Sequence, residues 1–286
     1  MRDFADHYSL LRCLGGGALF AVHEAIERRT GARVAIKCLR NEITNLSEAR
    51  EMLGKEGMIL SRVSHPNVVS LRSIEITSRG PVLVTEFVRA TVLSRLMRSR
   101  PPPQVAAGIA VQILHGLGAL HDATSASGST LEVVHGDISP QNILLGVHGR
   151  VVIVDLAGAQ CSCAMLSGGV VWGRATYLAP EQLLGRQVDR GADIYSTGAI
   201  LWELLTGLPL FSNRDAVRRS PAPPSTRGAN VSDLVDLLVL AALAPSSRRR
   251  YLSAMDSAAA IESCMGVASC GEIARWVGQI LSLDSS

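Results

Sequence analysis

Apolar residues in this chain change their spacing near residue 88, and that change decides what it can fold into. Before it they come in short runs, at 8–14, 20–26, 33–39, 68–76 and 81–88, punctuated by Gly15-Gly16-Gly17 and Thr30-Gly31. Such runs read as strands joined by tight turns. One helix interrupts the series at 47–63, with Ser47 as its N-cap, Met52, Leu53, Ile59 and Leu60 apolar, and His65-Pro66-Asn67 ending it. Beyond 88 helical spacing takes over, at 91–98, 103–121, 193–206, 231–243 and 253–263. Only two short strand runs, 143–145 and 151–154, break it. A β-rich first third ahead of an α-rich remainder predicts an α+β chain of two lobes. The boundaries fall at 8–88, 89–264 and a C-terminal helical extension at 265–286.

Composition narrows the class. With 286 residues, 47% of them hydrophobic and 19% charged, the chain can bury a sizeable core, which excludes disorder for most of it. A formal net charge of +3 gives no reason to expect nucleic acid as a partner. The uncharged stretch from Pro101 to Leu120 carries Gln104, Gln112, His115 and three prolines, so it reads as a buried helix and not a membrane span. The first residues hold no apolar leader, which makes the cytoplasm the expected location. Six cysteines, at 13, 38, 161, 163, 264 and 270, lack metal-finger spacing and are expected to be reduced structural thiols.

Three features carry chemistry. Gly15-Gly16-Gly17 lies between two strands, where it serves either as a plain hairpin turn or as a backbone cradle for phosphate. Among 28 basic residues only Lys37 and Lys55 are lysine. A position that keeps lysine points to a need for a compact ammonium and not a planar fork. Lys37 ends the strand 34–37, and Glu56 in the following helix is placed either to pair with it or to pair with its neighbour Lys55. The most demanding segment is His135-Gly136-Asp137-Ile138-Ser139-Pro140-Gln141-Asn142, followed by a strand, a second strand and Asp155. It supplies one general base, Asp137, and two hard oxygen ligands, Asn142 and Asp155, of the kind Mg²⁺ takes.

In this order the features resemble the eukaryotic-like protein kinase family. The likeness runs from about Tyr8 to Ile261. The wording Ser-Pro-Gln-Asn, the insert 122–132 and Ala-Pro-Glu-Gln at 179–182 are similar to bacterial serine/threonine kinases of the myxobacterial type. The resemblance implies a small β-rich N-lobe, a larger helical C-lobe, and transfer of the γ-phosphate of ATP to protein hydroxyls with Mg²⁺. It makes Asp137, Lys37 and Glu56 the catalytic set and Asn142 and Asp155 the metal ligands. ATP would meet Leu14, Gly15, Gly16, Gly17, Val22, Ala35, Lys37, Thr85, Glu86, Val88 and Leu144, with Glu86 and Val88 offering backbone to the adenine. It also implies that Ala179-Pro180-Glu181 pairs with Arg248 or Arg250, and that Asp193 begins a central helix.

The departures are specific. Phe20 replaces the third glycine of the loop, Gly136 the arginine before the base, and Ser139 the lysine two residues after it. Leu156 and Ala157 replace the Phe-Gly that usually follows the metal aspartate, and Arg174 stands where a threonine is usual. These support an alternative reading, a pseudokinase or nucleotide-binding scaffold with little turnover. A small-molecule phosphotransferase is a further alternative, matched by His-Gly-Asp but not by the segment 179–198. With Gly136 in place of arginine, phosphorylation at Ser162, Ser167 or Thr176 is not expected to be the on-switch. The sequence does not give the oligomeric state.

Overall fold

The computed structural model describes residues 4–43, 46–159, 176–211 and 221–283. It divides into two compact units. One holds the chain up to His65 together with Val69–Arg89; the other holds Pro66–Val68 and everything from Ala90 onward.

In the first unit a short helix α1 (Phe4–His7) leads into strands β1 (Tyr8–Gly16), β2 (Phe20–Glu27) and β3 (Arg33–Leu39). Helix α2 (Leu46–Leu60) and strands β4 (Leu71–Thr77) and β5 (Gly80–Glu86) complete it. The five strands form one antiparallel sheet in the order β1-β2-β3-β5-β4. Alternation along β3 sends Val34 and Ile36 to one face, where they pack with Tyr8, Ala25, Val82 and Val84. Ala35 and Lys37 point to the other. Leu46 is already helical, so Ser47 lies in the first turn of α2 and is not its cap. The expected strand 68–76 starts later, at Leu71, because Val68 bridges Ile153 in the other unit.

The second unit opens with β6 (Ala90–Val92), where a helix over 91–98 was expected. Val92 pairs with Leu144 and Thr91 with Leu145, and two 3-10 turns, Leu93–Arg95 and Met97–Ser99, follow. Leu93 and Leu96 are fully buried, which accounts for the helix-like spacing without a helix. Then come α3 (Pro103–His121), β7 (Ile143–Gly146), β8 (Val151–Ile153), α4 (Pro180–Leu183), α5 (Gly191–Thr206), α6 (Asp233–Ala242), α7 (Ala254–Cys264) and α8 (Cys270–Leu283). Helix α3 packs against α5, α7 and α8. By length and composition α3 is apolar enough to cross a membrane, but it is a core helix with most of its residues buried.

Helix α5 is buried along its whole length. Three of its hydroxyls bond inside the helix: Ser196, Thr197 and Thr206 each donate to the carbonyl four residues back. A helix buried on every side is held by its neighbours all round, and the loop 135–142 is anchored to it through Asp193. Cys13, Cys38, Cys264 and Cys270 are free thiols; Cys161 and Cys163 lie outside the described residues.

Candidate active site

The strand register of the first unit gathers most of the expected nucleotide residues onto one face of the sheet. Gly15 stands opposite Val22, Val22 opposite Lys37, and Ala35 opposite Thr85. Directly opposed residues point the same way, so Gly15, Val22, Ala35, Lys37 and Thr85 share a face. The glycine run continues β1 with a register shift between Cys13 and Gly15. A Cβ on Gly16 would sit 2.2 Å from the carbonyl oxygen of Phe20, at φ 145°, so no other residue fits there. Leu14 is partly exposed beside it, and the side of Gly17 is open. At the end of β5, Glu86 accepts from the Ser70 N–H through its carboxylate and donates its own N–H to the Ser70 carbonyl. Val88 follows, half-buried.

Lys37 pairs with Glu56 of α2 at 2.6 Å, both buried. Lys55 pairs with Glu51 one turn back, at the surface. Burying an ammonium is costly unless a carboxylate meets it. Here that carboxylate fixes the direction of the Lys37 side chain. Phe20, one of the departures in the sequence, has its ring 5.1 Å from the Lys37 ammonium. It is the diagonal cross-strand neighbour of Lys37, and an aromatic face there steadies the cation from a second side. The β2–β3 register contains this signal, but the loop comparison that marks Phe20 as a missing glycine hides it.

In the second unit the loop 135–142 is pinned from below. Asp193, in the first turn of α5, is fully buried and accepts three hydrogen bonds. They come from the His135 N–H at 2.9 Å, the Gly136 N–H at 2.8 Å and the His121 ring at 2.8 Å. Burial alone would raise this carboxyl's pKa, but His121, His135 and the Gly136 N–H outweigh it and hold it below the usual range. An ionised Asp193 has only acceptor oxygens, so the ring nitrogen of His121 facing it donates. His121 is a residue that sequence reasoning missed, since nothing local ties the end of α3 to Asp193, 72 positions away.

Gly136 adopts φ 71°, a left-handed conformation that costs any side-chain-bearing residue energy. Its carbonyl accepts from Gln182 of α4 at 2.7 Å. Next along the loop, Asn142 donates through Nδ2 to both the Asp137 carbonyl, at 2.8 Å, and its carboxylate, at 3.0 Å. Those bonds orient the amide with its nitrogen toward Asp137; its oxygen is the one atom of that amide able to ligate a cation. Asn142 immediately precedes β7, and Val154, just after β8, donates its N–H to the Asn142 carbonyl. The pairing of Ile143 with Ile153 therefore brings Asn142 and Asp155 to the same end of one hairpin. Leu144 sits in that hairpin, opposite Val152. Asp155 has φ 66° and accepts from the Ala157 N–H at 3.4 Å.

Three oxygen-bearing side chains, Asp137, Asn142 and Asp155, thus belong to one loop–hairpin unit. This hard donor set, one amide and carboxylates, matches what Mg²⁺ takes when phosphate oxygens complete its shell. Among the described residues no group of three or more His, Cys, Asp and Glu is placed to hold a metal ion by itself.

The segment leading into α4 is equally fixed. Glu181 makes two bonds to Arg250, at 2.6 and 2.8 Å, which selects Arg250 over Arg248. Tyr177 donates to Glu203 at 2.6 Å, and Ser196 donates to the Tyr177 carbonyl. Burial pushes the Tyr177 phenol far up, so it stays a donor at every physiological pH. Ser162, Ser167 and Arg174 lie outside the described residues.

Known proteins resemble this chain over most of its length. A protein kinase domain model matches residues 8–229. A probable serine/threonine-protein kinase of Corynebacterium efficiens is 31% identical over 279 residues, which is 90% of this chain and 41% of that protein. Serine/threonine-protein kinase Pkn1 of Myxococcus xanthus is 32% identical over 260 residues, 86% of this chain and 36% of Pkn1. The chain therefore spans about two-fifths of the length of such relatives. Among solved structures, the PknI kinase domain of Mycobacterium tuberculosis superposes with a TM-score of 0.68. It is 20% identical and covers 91% of this chain and 96% of that one.

Proposed function

Starting from a chain that belongs to the protein kinase family, we propose that it transfers the γ-phosphate of ATP to serine or threonine hydroxyls of a protein substrate. The observation that carries this reading is the Asp137–Asn142 pair on a loop whose backbone is anchored to Asp193. A base is useful only if held in place. Here the anchor is a buried ion on the most deeply packed helix of its unit.

In this reading the first unit is the nucleotide lobe, 265–286 is a structural extension and the catalytic loop belongs to the second unit. Lys37, aimed by Glu56 and Phe20, holds the α- and β-phosphates. Thr85, Glu86 and Val88 receive the adenine edge, with Leu14, Val22, Ala35 and Leu144 as apolar contacts and the 15–17 backbone along the phosphates. Asn142 and Asp155 hold Mg²⁺ through their side-chain oxygens. The ion they would hold supplies positive charge that would offset the negative charge developing on the transferred phosphate. Asp137 orients the acceptor hydroxyl and takes its proton. Most of the rate then comes from positioning and charge stabilisation. We place the reaction in the cytoplasm, where Mg·ATP is supplied.

One observation favours a slower enzyme or a nucleotide-binding scaffold. The Ser139 hydroxyl, at the place where the family keeps a lysine, is buried and has no hydrogen-bond partner among the described residues. The loop therefore supplies no cation of its own there. The experiment is incubation with Mg·ATP and serine, threonine and tyrosine peptides, scored for each phosphoamino acid. Phosphoserine or phosphothreonine is expected. Nucleotide binding without transfer would favour the scaffold.

A further inference from the structure

The 35 residues between Glu86 and Asp122 contain four arginines, 89, 95, 98 and 100, and no carboxylate. Three of the four fall in the second unit, on the 3-10 turns Leu93–Arg95 and Met97–Ser99 and just after them. Arg95, Arg98 and Arg100 are exposed, and none forms an ion pair among the described residues. The chain reverses at Arg100, whose φ of 41° is left-handed, and its side chain lies against Gly207 and Gly228. That contact brings in Arg227, the neighbour of Gly228, also exposed and without an ion pair among the described residues. Of the two carboxylates next in sequence, Asp236 is occupied by Ser225 and Asp233 is exposed.

The position of this face matters as much as its charge. The turn Leu93–Arg95 packs directly against Pro140–Asn142, the end of the loop that carries Asp137. The turn that carries Arg95 therefore adjoins the loop that would receive a substrate hydroxyl at Asp137, and exposed guanidiniums bind carboxylates and phosphates by two-point hydrogen bonds. Gln141, exposed on the same loop, adds no negative charge that would favour a basic peptide.

We propose that Arg95, Arg98, Arg100 and Arg227 form a docking surface for an acidic segment of the protein substrate. The enzyme would then select serines or threonines flanked by Asp, Glu or phosphorylated residues. Substrate selection rests on the kinase reading above, but the surface can be measured without turnover. Protein and not nucleic acid is the assigned occupant, because the patch adjoins the loop that must receive a protein hydroxyl and the chain as a whole carries only +3.

The test is fluorescence anisotropy on the full chain with three labelled serine peptides of equal length: Asp/Glu-flanked, Gly/Ala-flanked and Lys/Arg-flanked. The acidic peptide should bind about tenfold tighter than the neutral one, the basic one more weakly, and the difference should shrink with salt. Arg95→Glu/Arg98→Glu should erase the acidic preference while the binding of a fluorescent ATP analogue is unchanged; Arg95→Gln/Arg98→Gln, a milder change, should reduce it. Equal affinity for the three peptides, or an acidic preference retained in both double variants, would overturn the proposal. So would tighter binding of a single-stranded oligonucleotide of equal charge. Phosphate transfer is scored separately on the same peptides. An acidic peptide that binds at the arginines and is never phosphorylated counts against the catalytic reading and leaves the surface standing.

Discussion

Arg250 offers the most quantitative test of how the second unit is held together. Its side chain is 0% exposed and every guanidinium nitrogen is engaged: Nε with the Ala244 carbonyl, Nη1 with Glu181 and Gly191, Nη2 with Glu181 and Pro245. The guanidinium also lies 4.9 Å from the Tyr195 ring. Arg250→Ala removes all of this and strands the Glu181 carboxylate, 11% exposed, without its cation. Breaking one side of a buried pair costs about 3–5 kcal/mol. For a unit of this size each kcal/mol moves Tm by about 2–4 °C, so a fall of about 10 °C is expected. Tryptophan fluorescence in urea reads this unit, because Trp172, Trp202 and Trp276 all follow residue 90. Arg250→Met combined with Glu181→Met should recover part of the loss, since no charge is then left unpaired. Lys55→Ala, which breaks the exposed Lys55–Glu51 pair, should cost less than about 0.5 kcal/mol. A loss under about 1 kcal/mol for Arg250→Ala, or a double variant no better than the single, would refute the reasoning.

Other expectations follow from the same geometry. Lys37→Arg should sharply weaken ATP-dependent turnover, because a planar fork cannot take the place of an ammonium 2.6 Å from Glu56; Lys55→Arg should leave it near wild type, and equal effects would contradict the assignment. Asp193 has a folded pKa below its unfolded value, so its contribution to stability is complete above the ordinary carboxylate range and is lost as pH falls through the folded value. Asp193→Asn should therefore be destabilising at pH 7, with the gap from wild type narrowing toward pH 3 in urea titrations. A gap that stays constant would contradict this. Gly136→Ala should cost about 1 kcal/mol through its left-handed φ alone, since its Cβ would meet only ordinary contacts at 3.6 Å and beyond; no change in the urea midpoint would count against that conformation.

Much of this architecture is legible in the chain because its signals are local. Helix α3 is expected at 103–121 and found there, and α5, α6 and α7 shift by two residues or fewer at each end. Strand β6 is not legible, because its identity comes from pairing with β7, fifty residues on, while Leu93 and Leu96 mimic helical spacing. The site shows the same division. Lys37, Asp137, Asn142 and Asp155 stand out by residue type and spacing, and Glu56 is singled out by the family resemblance. His121, Gln182 and the ring of Phe20 gain their meaning from partners that only the fold brings near. The choice between Arg248 and Arg250 falls in the same class, since it depends on which one the 3-10 turn Ser247–Arg249 leaves facing Glu181.

The central claim is that Asp137 serves as the base of a phosphoryl transfer and that its loop is already organised for the task. The most direct measurement compares wild type with Asp137→Asn in γ-phosphate transfer from Mg·ATP to a serine peptide, with nucleotide affinity measured in parallel. The account predicts a fall in turnover of roughly 10²-fold or more, the scale of a lost general base, with ATP binding kept. Unchanged turnover in Asp137→Asn would contradict it.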